Sequence, residues 1–159
     1  MMQTTDDAIG AATGRIPSGC SILTVAHGDQ RTGVLVSWVQ QASFEPLQLT
    51  VCVKRGRPAA DLIDGAGRFV LNVIGDDPSV MFKHFGKGFS LEEDAFAGID
   101  HGESDFGPVL PGCIARIGCE VKDRMAGGDH DVYLVDVKAG DGDAAESPYV
   151  HIRKSGKTY

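Results

Sequence analysis

Two runs of β-branched residues on either side of a short polar link constrain this chain most. Cys20-Ser-Ile-Leu-Thr-Val-Ala-His27 and Thr32-Gly-Val-Leu-Val-Ser-Trp38 flank His27-Gly28-Asp29-Gln30. Side chains branched at Cβ favour extended backbone, and a glycine in a tight link lets the chain reverse, so the pair predicts a β-hairpin. The pattern recurs along the chain. Leu47 to Lys54 alternates apolar and polar residues after a turn at Glu45-Pro46, and Arg68-Phe-Val-Leu-Asn-Val-Ile74 lies between Gly67 and Gly75-Asp76-Asp77-Pro78. Ile114 to Lys122 and Asp131 to Lys138 read as strands on either side of a turn at Ala126-Gly-Gly-Asp129, and Tyr149 to Arg153 as a closing strand. The 21 glycines are spread along the chain, as many tight turns between short elements require.

Two segments read as helices. Pro58-Ala-Ala-Asp-Leu-Ile63 places proline in a first turn, where its missing N–H costs nothing. Pro78 to Phe85 sets Val80, Met81 and Phe85 at helical spacing. Residues 1–13 are expected as a loose arm or short helix, residues 14–159 as one domain, and residues 86–112, with Asp105-Phe-Gly-Pro-Val-Leu-Pro-Gly112, as irregular chain. Six or so strands with two helices predict a mainly β fold, a barrel or sandwich with a few capping helices, and not a doubly wound sheet.

Composition narrows the function. With 159 residues, 42% hydrophobic and 23% charged, the chain suits one globular domain and excludes a disordered or disulfide-scaffold protein. A net charge of −7 argues against nonspecific nucleic-acid binding. No run approaches the ~18–20 apolar residues of a membrane helix. The polar start Met-Met-Gln-Thr-Thr-Asp-Asp has no signal-peptide pattern, so a cytoplasmic protein is expected. Cys20, Cys52 and Cys119 lie in apolar runs and Cys113 pairs with none of them as Cys-x-x-Cys, which predicts buried free thiols.

Several chemistries are missing. No Gly-x-Gly-x-x-Gly follows a strand, Gly86-Lys-Gly-Phe-Ser90 lacks P-loop spacing, and Gly-x-Ser-x-Gly does not occur. His27, His84, His101, His130 and His151 are too scattered for a metal pattern, so no metal is expected. Asp129 and Asp131 beside His130 do not by themselves make a triad.

One segment is more specific. Gly33-Val-Leu-Val-Ser-Trp-Val-Gln-Gln-Ala-Ser-Phe-Glu-Pro46 leaves a strand, keeps small and hydroxyl residues, and closes on proline. It resembles the flavin-binding loop of the flavin reductase-like family, whose fold is the FMN-binding split β-barrel. The resemblance runs from about Gly14 to Tyr159. Arg15-Ile-Pro-Ser-Gly-Cys-Ser-Ile-Leu-Thr24 is similar to the family's opening strand, Val51-Cys-Val-Lys-Arg55 to its third, and Gly67-Arg-Phe-Val-Leu-Asn-Val73 to its Phe-x-x-Asn-Val strand. Gly128-Asp-His-Asp-Val-Tyr133 resembles a late Gly-Asp-His turn. Ser37-Trp38 with Val150-His-Ile-Arg-Lys-Ser-Gly-Lys-Thr-Tyr159 is most similar to the C-terminal flavin reductase domain of diflavin flavodiiron proteins, here standing alone.

The resemblance implies FMN, with FAD as the alternative, and NADH or NADPH as donor. It places Leu35, Val36, Ser37, Trp38, Gln41 and Ser43 along the flavin, with His84 and Phe85 on a second contact segment. The residue chemistry agrees: hydroxyl donors at Ser37 and Ser43, cations at Lys54 and Arg55, and a ring-sized face at Trp38. Leu35 stands where many members carry threonine, and Gln41 where they carry serine. His130 resembles a histidine that positions or polarises the dinucleotide, because hydride passes directly between the two cofactor rings and no protein nucleophile is needed. A homodimer and a downstream electron-accepting protein are also implied. Read one at a time, Trp38 is a core aromatic, Ser37 and Ser43 turn residues, Lys54 and Arg55 a solvated strand end, and Asn72 a partner for buried backbone. The order of motifs favours the flavin reductase; a flavin-binding electron carrier and a barrel without flavin remain as alternatives.

Overall fold

The computed structural model describes residues 1–159. In chain order the elements are α1 (Asp6–Thr13), β1 (Ser18–Gly19), β2 (Ser21–His27), β3 (Gln30–Val36), β4 (Val39–Phe44), β5 (Leu47–Lys54) and α2 (Pro58–Ala66), then β6 (Arg68–Val73), α3 (Ser79–Phe85), β7 (Gly102–Ser104), β8 (Gly107–Val109), β9 (Ala115–Ala126), β10 (His130–Gly142) and β11 (Val150–His151). Strands β2 to β6, β9 and β10 form one antiparallel sheet in the order β3-β2-β6-β9-β10-β5-β4. Its two edges, β3 and β4, are separated in the chain by only Ser37 and Trp38. The sheet must therefore curl until its edges meet at those residues, yet no ladder joins them. The result is a barrel split along one seam.

The alternation of side chains across β2 builds the core on both sides of the sheet. Leu23 and Val25 point into the barrel, where they meet Val51 and Val53 of β5, Phe69 and Leu71 of β6, and Tyr133 and Val135 of β10. Helix α2 plugs this interior with Ala59, Ala60, Leu62 and Ile63. Ile22 faces the other way, into a second cluster with Met81 and Phe85 of α3, Ala95, Phe96 and Leu110. Segment 86–113 thus covers the outer face of β2. Asn72, fully buried on β6, donates to Ile22 O (3.0 Å) and Thr24 Oγ1 (2.9 Å) and accepts from Leu110 N (2.8 Å), which ties the cover to the sheet.

The hairpin, β5 and α3 fall where the pattern predicts them. Helix α2 runs three residues past Ile63, closed by the Gly67 N–H bonding Ile63 O. The expected irregular stretch contains the small β7–β8 hairpin. Strand β9 runs past its predicted end at Lys122 to Ala126, and β10 runs past Lys138 to Gly142; the added residues are exposed and are held by the β9–β10 ladder rather than by packing on the core. The closing strand shrinks to Val150–His151, paired with β1. The largest correction is β4: residues 39–44, expected as part of a flavin loop, pair with β5 as an exposed edge strand with a bulge between Gln41 and Ser43.

Residues 6–13 form a helix. Thr5 caps it, and Asp6 and Asp7 sit in its first turn, where the helix dipole favours acids. Its outer end holds segment 154–159: Gly156 N donates to Gly10 O (2.8 Å), Lys157 Nζ lies 2.6 Å from Asp6 Oδ1, and Arg15 donates to Arg153 O.

Candidate functional site

A cleft of about 210 Å³ opens along the seam, where the chain crosses from one sheet edge to the other. The end of β3 (Val34–Val36) and the crossing pair Ser37–Trp38 form one wall, and Cys52, Val53 and Lys54 of β5 form the second. Phe82 and Phe85 of α3, with Gly86 that caps it, add a third side. The crossing itself is fixed by backbone, since Cys52 N donates to Trp38 O at 2.9 Å. Arg153, only 8% exposed, supports it from behind. Its guanidinium donates to Ser37 Oγ and lies 5.6 Å from the centre of the Trp38 ring. Its buried Nε has no hydrogen-bond partner within the protein.

At the mouth of the cleft the start of β10 adds His130, opposite Lys54 in the ladder. The His130 ring stands 4.6 Å from Trp38, and its Nδ1 lies 2.7 Å from Asp129 Oδ1. Its Nε2 meets the hydroxyl of Tyr159, whose ring stands 6.1 Å from Trp38 and whose face receives Lys54 Nζ at 5.7 Å. The bond from His130 holds the Asp129 carboxyl below the ordinary carboxylate range. Burial, then the Asp129 charge, pushes the Tyr159 phenol up, so Tyr159 keeps its proton and donates it to Nε2. In the neutral imidazole, Nδ1 then carries the ring hydrogen and donates to Asp129. A second hollow of about 330 Å³, bounded by Trp38, Lys54, Asp129, His130 and residues 156–159, shares Trp38, Lys54, His130 and Tyr159 with the first.

The turn that presents His130 is rigidly built. A Cβ on Gly127 would lie 2.3 Å from His130 O, so the tight approach admits glycine alone. The next residue, Asp131, has a side chain 3% exposed and joins Arg55 Nε (2.8 Å) to Arg124. Arg124 first, then Arg55, holds its carboxyl below the ordinary range. Arg124 also pairs with Asp64 of α2, so β5, β9, β10 and α2 are locked together behind His130.

Of the residues singled out from sequence, the cleft gathers Leu35, Val36, Ser37, Trp38, Lys54, Phe85 and His130. Four lie elsewhere. Gln41 is exposed and Ser43 half-buried on edge strand β4. Arg55 turns to Asp131. His84 bonds Ala95 O at 2.9 Å and packs on Phe85 and Phe89, facing away from the cleft. Sequence reasoning missed Arg57, His151, Arg153 and Tyr159. Arg57 is two residues from Arg55 and carried the same signal of positive charge in an acidic chain; the others arrive from a segment distant in sequence. Cys52, half-buried, and Cys20, buried, both line the cleft, while Cys113 and Cys119 are buried away from it. Burial pushes Cys20, Cys113 and Cys119 up, to about 11, 11 and 12 in turn, which keeps them protonated and unreactive.

Trp38, Leu35 and Phe85 give the slot apolar walls, the lining that a flat aromatic ring system would need. Lys54 and Arg57 give its rim two cations in a protein of net charge −7, and the spare Nε of Arg153 leaves a donor behind Ser37. The class this defines is a split β-barrel with one ligand-sized cleft at its seam.

The flavin reductase-like domain model matches residues 13–158, and the chain belongs to that family. It is 36% identical to diflavin flavoprotein A 1 of Synechocystis over 161 residues, covering 99% of this chain but only 28% of that protein. The chain thus spans about a quarter of the curated relatives it matches. Among solved structures, it superposes on a homologue of nitrilotriacetate monooxygenase component B from Mycobacterium thermoresistibile with a TM-score of 0.78 and 28% identity, covering 91% of this chain and 80% of that one. The NADH:FAD oxidoreductase of Streptomyces globisporus gives a TM-score of 0.81 at 21% identity, covering 91% and 86%, a likeness of fold. No helix of the structure is long and apolar enough to cross a membrane.

Proposed function

We propose that this chain is an FMN-binding flavin reductase that takes hydride from NADH or NADPH and passes the electrons to an acceptor, in the cytoplasm. The observation that carries this reading is the convergence of Ser37–Trp38, Lys54, Phe85 and His130 on one seam cleft. A bound flavin supplies the redox chemistry, accepting hydride from the reduced nicotinamide. The protein's task is placement: Trp38 and Leu35 flank the ring system, Lys54 and Arg57 offset phosphate charge, and the slot excludes water from one face. His130, held by Asp129, offers Nε2 as an acceptor for the carboxamide N–H of the dinucleotide. Family membership supports flavin as the cofactor, and the Streptomyces enzyme, solved in complex with NAD and FAD fragments, offers a precedent on this fold. FMN is the cofactor proposed, with FAD as the alternative. Ser43 and Gln41, outside this copy's cleft, would reach a flavin only from a neighbouring molecule, which is the role a homodimer gives them.

The test is anaerobic stopped-flow reduction of the FMN-loaded protein by NADH and by NADPH, followed at the oxidised-flavin band. Fast bleaching with either donor is the expected result; bound flavin that neither donor bleaches would refute the reductase. A second reading, a flavin-binding carrier that receives electrons from another protein, is favoured by Tyr159, which lines the cleft and engages the His130 Nε2 that a dinucleotide would need. Its mark would be tight flavin with negligible NAD(P)H turnover.

A further inference from the structure

Three charged side chains are buried in this protein: Asp131, Asp136 and Arg153. A buried charge is costly unless an opposite charge meets it. Asp131 is met by Arg55 and Arg124, and Asp136 by Lys138 at 3.3 Å and Lys122 at 3.7 Å. Arg153 has no carboxylate. Its guanidinium reaches the hydroxyls of Ser37 and, at 3.4 Å, Ser18, it lies beside the Trp38 ring, and its Nε bonds nothing. Its surroundings offer no remedy: Arg15 donates to its carbonyl, and none of the residues lining the neighbouring cleft is Asp or Glu, in a chain with 22 of them. We propose that Arg153 is held unpaired as the counter-charge for an anionic ligand in the seam cleft, and that the Ser37 hydroxyl conveys that charge to the ligand. This rests on the reading of the cleft as a flavin site.

Ser37 lines the cleft, and its Oγ accepts from the Arg153 guanidinium. A hydroxyl that accepts from a cation keeps its own hydrogen to donate, and the bond polarises it into a stronger donor. Ser37 Oγ makes no other hydrogen bond within the protein, so that hydrogen is left for an acceptor in the cleft. The same guanidinium lies 5.6 Å from the Trp38 ring centre, which joins both residues of the crossing to one cation. Its charge is felt by other lining groups too. Burial pushes the Cys20 thiol up and the His151 imidazole down, and on each Arg153 acts second, favouring the thiolate and opposing the imidazolium.

A flavin nucleotide brings negative charge from two sources. Its phosphate is anionic throughout. Hydride uptake moves two electrons and one proton from the reduced nicotinamide, which leaves one positive charge richer, to the flavin ring, which gains one negative charge. Two substitutions separate charge from shape. Arg153→Met removes the charge and keeps an unbranched, buried chain; Arg153→Lys keeps the charge and loses the planar fork.

The measurements are the urea midpoint of the flavin-free protein, the affinities for FMN and for riboflavin, and the midpoint potential of bound FMN. Flavin-free Arg153→Met should unfold at the same urea concentration as wild type or higher, because an apolar chain replaces an unpaired buried charge. Its ligand binding should worsen. A loss of ~10–100-fold in FMN affinity with riboflavin unchanged assigns the charge to the phosphate. A fall in potential of ~30–60 mV, the same ~10–100-fold taken from the reduced form alone, assigns it to the ring. Arg153→Lys should restore most of whichever effect appears. Ser37→Ala should reproduce part of it and add little to Arg153→Met, as expected for two groups acting in series. FMN affinity within twofold of wild type together with an unmoved potential would overturn the counter-charge while leaving the flavin site standing. Lower flavin-free stability in Arg153→Met, with FMN and riboflavin weakened alike, would overturn it too, making Arg153 only a prop for the crossing. Wild-type protein that takes up neither flavin would instead refute the flavin site, and the counter-charge with it.

Discussion

Gly33 sits in the middle of β3, opposite Thr24, and its missing side chain makes room for the ring of Phe85. A Cβ placed there would stand 2.6 Å from Phe85 Cε1, 3.1 Å from Cδ1 and 3.4 Å from Ile22 Cγ2. Carbon atoms rest at about 3.5–4.0 Å, so the ring must retreat by about 1 Å. Behind it stand His84, Phe89 and Phe96, with ring centres 4.7, 5.9 and 6.3 Å away, and Phe85 itself is 1% exposed. The yielding direction is the cleft. Gly33→Ala should cost about 1–3 kcal/mol of overpacking, offset by about 0.5–1 kcal/mol from the stiffer unfolded chain. The net expectation is a loss of ~1–2 kcal/mol by urea unfolding, with FMN bound ~10-fold more weakly, since each 1.4 kcal/mol is one decade. Phe85→Leu relieves the clash, so the double variant should be more stable than the sum of the two single losses by about 1 kcal/mol. Additivity within ~0.5 kcal/mol would refute the contact as the cause.

Asn72→Ala strands the buried Leu110 N–H and the donors' former acceptors, and should lower unfolding stability by ~2–4 kcal/mol with flavin affinity little changed; a loss below ~1 kcal/mol would mean that the three bonds are replaced by water. For Asp131, the folded carboxyl titrates below its ordinary value of 3.8, so its contribution is present at neutral pH and lost as acid protonates it. The urea midpoint of wild type should therefore be flat from about pH 7 to 5 and fall below about pH 4. Asp131→Asn should start lower at pH 7 and fall less; parallel acid limbs would show that other carboxylates carry the effect.

What the sequence made legible follows from how strongly each segment depends on burial. Leu47–Lys54 alternates because Leu49, Val51 and Val53 point into the barrel, so its bounds are readable from pattern alone. Strand β4 gives no such signal: Val39 to Phe44 is mostly exposed, its Gln-Gln-Ala-Ser run has little β preference, and it is extended because β5 supplies a ladder. The cleft residues near the crossing were found because they are contiguous. Arg153 and Tyr159 were hidden for the opposite reason. They reach the site through α1, by contacts such as Gly156 N to Gly10 O, between glycines far apart in sequence whose close approach no local pattern announces.

The position of the site is a consequence of strand order. In a sheet whose end strands are consecutive in sequence, the linking residues must lie where the two edges come together, and they are the ones with backbone free of a ladder on one side. Ser37 and Trp38 are those residues here. Any ligand held at the seam touches them whatever the rest of the barrel contributes, so small changes in sequence there alter ligand fit without disturbing the core. The structural load falls on neighbours instead: Asp131 behind His130, and Phe85 against Gly33. Such an arrangement separates the residues that choose a ligand from those that hold the wall, which is why Leu35 can replace a hydroxyl residue at the slot while β3 keeps its pairing with β2 through Ile22.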